Sequence, residues 1–206
     1  MAEFRRSSEV RQLELTDAAL HIIATRGITA LSTRSLAEQV GFSSGAIFRH
    51  FASLDALLDA VVARVEAVLD STYPHRELPA QERLQRFVEA RSAAVGDQVG
   101  ILRLVLSEQF LLALPKDGSA RLSSCVQKTR NFVRTCLREG QDAGQFRADI
   151  DANALAVVVM GTIQMLALST AKSRRRATEA QAVRDGLVAL LQPPVRSRSK
   201  SRKKSV

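Results

Sequence analysis

The chain has 206 residues, 46% hydrophobic and 25% charged, which suits one ordinary domain or a small domain fused to a larger one. No apolar run approaches the roughly 20 residues of a membrane span: the best candidate, 152–168, is broken by Asn153, Thr162 and Gln164, and Met1–Arg11 lacks the apolar stretch of a signal peptide. The expectation is a cytoplasmic protein without membrane contact. The formal net charge is +9, and all of the excess falls after residue 170, where eleven basic side chains face two acidic ones.

Periodic segments repeat at about 3.6 residues and none alternates, so the chain reads as all-α with about nine helices. The first helix is expected from about Val10 to Arg26, with Leu15, Ala18, Ala19, Ile22 and Ile23 inward and Gly27 closing it. Residues 32–51, STRSLAEQVGFSSGAIFRHF, read as two short helices joined by a tight turn. Leu36, Ala37 and Val40 form an apolar stripe on the first, and Ala37 is small where the helices must cross. Gly41 can take the left-handed conformation that ends that helix. Ser43 is an N-cap for the second, with Ile47 and Phe51 inward and Ser44, Ala46, Arg49 and His50 around the rest. This is the build of a helix-turn-helix whose second helix can enter a DNA major groove.

Ser53 then caps a long helix with Leu57, Leu58, Val61, Val65, Val68 and Leu69 on its stripe, ending near Ser71 before Tyr73-Pro74. Pro79 opens a helix to about Val95 with Leu84, Phe87 and Val88 inward. The stretch 99–114 is apolar enough for the core, and 121–140 is helical with Leu122, Val126, Phe132, Val133 and Leu137 inward. A connector, 143–151, leads to a helix at 154–172 that Asp151 or Asn153 can cap, and a last helix at 178–191 stops at Pro193-Pro194. The division is a helix-turn-helix domain at 1–52, a helical effector-binding and dimerisation domain at 53–192, and a disordered basic tail at 193–206. The tail sequence VRSRSKSRKKSV has six basic residues and no acid. It either grips phosphate backbone or acidic lipid non-specifically or merely solubilises.

Two features bear on partners. A helix as apolar all round as 154–172 must be buried, and pairing it with 178–191 of a second copy would form a four-helix dimer interface; a central core helix of a monomer is the alternative. Cys125 and Cys136 share a helix face roughly 16 Å apart, too far to bridge, and read as small apolar residues. His21, His50 and His75 fall in no nucleophile, carboxylate or zinc-ligand spacing, and no phosphate-cradling Gly loop occurs, so no enzyme, catalytic residue, metal or cofactor is expected.

The order of these features resembles the TetR family of transcriptional regulators. The resemblance is carried by Arg26-Gly27, Leu36-Ala37-Glu38, GFSSGAIFRHF and the Asp-Ala-Leu-Leu stretch at 55–58, and more weakly by REGQDAGQFRADID before the last helices. It implies a dimer on a palindromic operator in double-stranded DNA, loosened by a small molecule bound in the C-terminal body. It places Thr33 and Arg34 near phosphate or a base edge, with Ser43 opening the reading helix and Ser44, Gly45, Ala46, Phe48, Arg49 and His50 facing the groove or its walls. Arg49 is the residue able to read guanine bidentately, although on residue type alone Arg49 also suits a solvated face, His50 a helix-end hydrogen bond and Phe48 simple packing. Arg5 and Arg6 are candidates for a minor-groove arm or a frayed terminus.

Four positions depart from the family's habit: Ser44 where it is often basic, Ala46 where it is often Thr, Phe48 where it is usually Tyr and Leu54 where it is usually Lys. Each removes a phosphate or base donor, and residues 1–52 carry only six basic against five acidic side chains. The head is therefore expected to bind more weakly than its relatives, with the tail supplying attraction.

In the family the effector lies among the body helices, which here makes Phe87, Arg91, Leu104, Glu108, Phe110, Phe132, Met160, Gln164 and Met165 the inward candidates, the apolar ones being equally good plain core. Arg91, Glu108 and Gln164 are the informative members, because buried polar groups need partners. Aromatics make up only 4% with no Trp, which argues against a cage for a flat cation and for an apolar or acyl-like effector. The function expected is a dimeric, sequence-specific DNA-binding regulator, a repressor released by a small molecule; the alternative is a related module with weakened operator recognition that acts through its tail or a protein partner.

Overall fold

The structure, a computed structural model, describes residues 2–97, 108–115, 117–168 and 174–194. Among these there are nine α-helices, one short 3-10 turn and no strand, and no helix is long and apolar enough to cross a membrane.

Helix α1 spans Ala2–Arg26, beginning eight residues before the start at Val10 expected from the sequence. Nothing in residues 2–9 stops a helix, so the backbone continues beyond the residues whose spacing forms the apolar stripe. Arg5 and Arg6 thus lie on helical backbone, not on an extended arm. Gly27 closes α1 at φ 85°, donating to Ile23 O at 2.9 Å. After the turn at Ile28–Ala30 comes α2, Thr33–Val40. Ser32 caps it through a reciprocal pair with Ser35: Ser35 N donates to Ser32 Oγ at 3.0 Å and Ser32 N to Ser35 Oγ at 2.9 Å. Gly41, at φ 71°, ends α2 in the left-handed conformation its sequence position predicts.

Helix α3 is only Ser44–Ile47. The chain leaves it through tight turns, with His50 N donating to Ile47 O at 2.9 Å and Phe51 N to the same oxygen at 3.0 Å. Ser43 occupies the cap position but its hydroxyl accepts no capping hydrogen bond. Ser53 does cap α4, Leu54–Asp70, taking the Ala56 amide at 3.1 Å.

In the body, α5 spans Ala80–Asp97, α6 Glu108–Ala113, α7 Gly118–Asp142, α8 Ala152–Leu168 and α9 Arg174–Leu191. Helices α7, α8 and α9 each begin earlier than their periodicity predicts. Asp151 caps α8, accepting from Asn153 N at 2.8 Å. Between α7 and α8 the chain turns on Gly144 at φ 68°, and Gly140 makes room for Phe146: a Cβ there would stand 2.2 Å from the ring.

Two apolar clusters result. The first joins α1–α4 through Leu15, Ile22, Leu36, Ile47, Leu57 and Val61, and draws in Phe110 and Leu122 from the body. The second packs α5, α7, α8 and α9 through Leu84, Phe87, Val133, Leu137, Val159 and Leu187. Each side chain so buried contributes about 1.5–3 kcal/mol. Helix α4 lies between head and body, tied to α1 by Arg64–Asp17 at 2.9 Å and to α7 by Arg121–Glu66 and by Lys128–Asp70 at 2.5 Å. Cys136 is fully buried and Cys125 half-buried, both unbridged.

Candidate functional site

The head presents one continuous exposed face. Ser43, Ser44, Gly45, Phe48 and Arg49 are exposed, Thr33, Ala46 and His50 are half-buried, and Ile47 and Phe51 are buried beneath them. Leu36 and Ala37 support this face from α2. Arg34 is wide open, with 87% of its side chain accessible, and its Nε donates to Glu38 Oε1 at 3.1 Å across one helical turn. An exposed pair of this kind is worth little and yields readily to a phosphate. Phe48, 53% exposed, does not pack inward. His50 is held differently from a free reader: its Nδ1 is buried without a partner, and its main-chain oxygen accepts from Gln12 Nε2 at 2.9 Å.

That last contact brings in residues the sequence reading did not single out. Gln12 ties the outer part of α1 to the end of the reading turn, and Arg11 places its guanidinium 5.3 Å from the Phe42 ring centroid in the turn between α2 and α3. Both lie beyond the apolar stripe of α1, so periodicity gave no sign of them. The Ser32/Ser35 cap, by contrast, had a visible signal in its spacing.

The body candidates do not converge on one site. Phe87 and Arg91 are buried on α5, and half-buried Phe132 packs beside them from α7. Phe110 instead belongs to the head-side cluster. Met160 and Gln164 are half-buried on α8, whereas Met165 is 62% exposed and not inward. Leu104 and the side chain of Glu108 lie outside the described residues, as do 98–107, 169–173 and the tail from 195.

Despite the low aromatic content, an aromatic group does form. Tyr73 stacks on Phe87 at 5.3 Å, Phe132 meets Tyr73 edge-on at 5.1 Å, and Phe87 and Phe132 are 4.7 Å apart. Its cations are the chain's own: the Arg91 guanidinium is 4.9 Å from the Phe87 centroid and 5.2 Å from that of Tyr73, and Lys128 Nζ is 5.0 Å from the Tyr73 centroid. Burial pushes this guanidinium below its ordinary range. Cavities outlined by described residues lie elsewhere, among them one of about 170 Å³ between α5 and α9 beside Leu84, Val88 and Leu187, and an open cleft of about 530 Å³ between α4 and α7 beside Asp70, Arg121 and Cys125.

Comparison with known proteins places this geometry. The profile of bacterial regulatory proteins of the tetR family matches residues 15–61, from α1 through the helix-turn-helix into α4, and that of the tetracyclin repressor-like C-terminal domain matches residues 113–187. The regulator BetI of Burkholderia lata is 31% identical over 64% of this chain and 74% of its own. The chain belongs to the TetR family. It is a DNA-binding transcription regulator of that family and not an enzyme. The transcriptional repressor KstR2 of Mycobacterium tuberculosis is 28% identical over 69% of this chain and 72% of its own. A structure of the M. tuberculosis ketosteroid regulator KstR2 superposes with a TM-score of 0.78 at 20% identity, covering 89% of this chain and 96% of that one. The structure of AibR with isovaleryl coenzyme A and operator DNA gives 0.73 at 17% identity, covering 89% and 99%. At such identities the superpositions speak for the fold.

Proposed function

We propose that this regulator is a repressor that grips a palindromic operator as a dimer and is released by a small molecule bound in its body. The division expected from sequence is kept: a reading head to residue 52, an effector-binding and dimerising body to 192, and a basic tail. Thr33, Arg34, Ser43, Ser44, Gly45, Ala46, Phe48, Arg49 and His50 form the DNA face, with Arg49 the base reader. The observation that supports this reading most is the exposed polar face over Ile47 and Phe51, held against α1 by Gln12.

The pairing of two copies rests on the last two helices. Val157 and Val158 on α8 are 58% and 49% exposed, and Val183 and Leu190 on α9 are 45% and 60% exposed. Apolar side chains so open along two neighbouring helices call for a cover, and a two-fold copy supplies it symmetrically. For the effector, the relative whose structure holds isovaleryl coenzyme A supports an acyl-like ligand. The test is fluorescence anisotropy with the chain's own upstream DNA plus competitor, alongside sedimentation. A specific complex of two protomers per site is expected, and Val158→Glu with Leu190→Glu should yield monomers that bind DNA far more weakly. Monomers from the unaltered chain at micromolar concentration, or binding indifferent to competitor, would reject the reading.

A further inference from the structure

A guanidinium removed from water needs an acid to face, because burying an unpaired ion costs far more than aromatic faces return. Two arginines are buried among the described residues. Arg83, 8% exposed, is paired with Glu139. Arg91 is only 3% exposed, and no carboxylate among the described residues stands within ion-pair distance of it. Asp70, the acid whose field reaches Arg91, engages Lys128 at 2.5 Å instead.

Its neutral surroundings leave part of the group unsatisfied. Arg91 Nη2 donates to Thr129 Oγ1 at a long 3.4 Å, and that hydroxyl also shares a 3.1 Å hydrogen bond with the Tyr73 hydroxyl. Arg91 Nε is buried with no hydrogen-bond partner among the described residues. A cation, two hydroxyls and an idle N–H therefore gather at one edge of the Tyr73–Phe87–Phe132 aromatic group. That is a donor set for an oxyanion joined to an apolar skeleton.

We propose that Arg91 anchors the anionic group of the effector, a carboxylate or other oxyanion, with the Tyr73 and Thr129 hydroxyls beside it and the Phe87 and Phe132 rings against the ligand's carbon chain or ring. The assignment rests on the body being the effector-binding part, and it narrows the effector from any apolar molecule to an amphiphilic acid. The site is well placed to be felt at the head. Tyr73 lies three residues past the end of α4, whose opposite end packs Leu57 and Leu58 into the head-side cluster.

Calorimetric titration of the full chain without DNA tests it, using octanoate and phenylacetate, their neutral amides, and isovaleryl coenzyme A as a phosphate-bearing arm. At least one of the three anionic probes should bind, and an acid that binds should do so at least about tenfold more tightly than its amide. Arg91→Met should weaken it by about 30-fold or more while leaving the thermal midpoint equal or higher, since an unpaired buried charge is removed. Arg91→Lys should retain part of the affinity, and Thr129→Val should lose several-fold. A preference for isovaleryl coenzyme A that Arg91→Met abolishes assigns the oxyanion to phosphate; a preference for the simple acids assigns it to carboxylate.

Equal binding of acids and amides, acid binding indifferent to Arg91→Met, or no binding of any of the three anions at millimolar concentration overturns the assignment. So does an Arg91→Met chain that fails to fold while Arg91→Lys and Thr129→Val bind like the parent. Operator release is read separately by anisotropy. Acids that bind through Arg91 without loosening DNA sustain this assignment and reject effector release; release by a neutral ligand that ignores Arg91→Met does the reverse.

Discussion

Arg49 in the head and Arg91 in the body make the same guanidinium serve opposite ends. Arg49 stands in water on a thin layer of polar and small residues, with Ile47 and Phe51 fixing the backbone beneath it. Arg91 is taken out of water among three rings, and no carboxylate among the described residues completes its charge. In the head, the groups proposed to meet DNA are distinct from the groups that hold the fold, so recognition and stability should separate under mutation. In the body the two are interleaved, so a substitution there should touch both.

The largest effect should come from the body. Gly140→Val would drive a side chain into the Phe146 ring, which a Cβ alone already meets at 2.2 Å. Overpacking of this severity should cost about 3 kcal/mol or more, visible as a lower urea midpoint; a midpoint unchanged from the parent would show that the connector yields and that the body is less interlocked than described. Arg49→Ala should weaken operator binding by about 1–3 kcal/mol at an unaltered melting temperature, and a parallel loss of stability would erase the separation drawn for the head. Ser32→Ala removes the α2 cap and should cost about 1 kcal/mol, read by thermal unfolding.

The smallest effect is electrostatic. The Arg147 hydrogen bond holds Asp149 below the usual carboxylate range, and hydrogen bonds from Asn153 hold Asp151 below it. A carboxyl depressed in the folded state adds stability that is complete above its unfolded value and disappears as pH falls through the folded one. Asp149→Asn should therefore be slightly less stable than the parent at neutral pH and lose less on acidification, the two melting curves converging as pH falls below the ordinary carboxylate range.

Much of this was written in local signals. Gly27, Gly41, Ser53, Pro74 and Pro193 punctuate the chain where the helices do end or begin, because caps and breakers act on their own neighbours. The starts of α1, α7 and α9 were less visible, since their first residues lie outside the apolar stripes that mark the helices. The α3 helix is shorter than the pattern implied: Ile47 and Phe51 share an inner face whether or not the turn between them stays regular. Arg91 shows the deeper limit. Its four neighbours Tyr73, Phe87, Phe132 and Thr129 come from the end of α4, from α5 and from α7, and no spacing announces their meeting. Composition argued against an aromatic cage, yet three of the nine aromatic residues suffice to build one.

Arg147 fastens the end of α9 from outside. Its amide donates to Leu191 O at 2.8 Å, its Nη1 to Leu190 O at 3.3 Å, and Asp149 steadies the guanidinium at 2.7 Å. Those carbonyls are ones a helix leaves without internal partners. Truncations meant to probe the basic extension therefore have a natural boundary. Removing 195–206 spares this latch and isolates the contribution of the positive charge to DNA affinity and its salt slope. A cut before Leu190 opens the latch, frees the end of the helix that carries Val183, and confounds any loss of electrostatic attraction with a loosened partner surface.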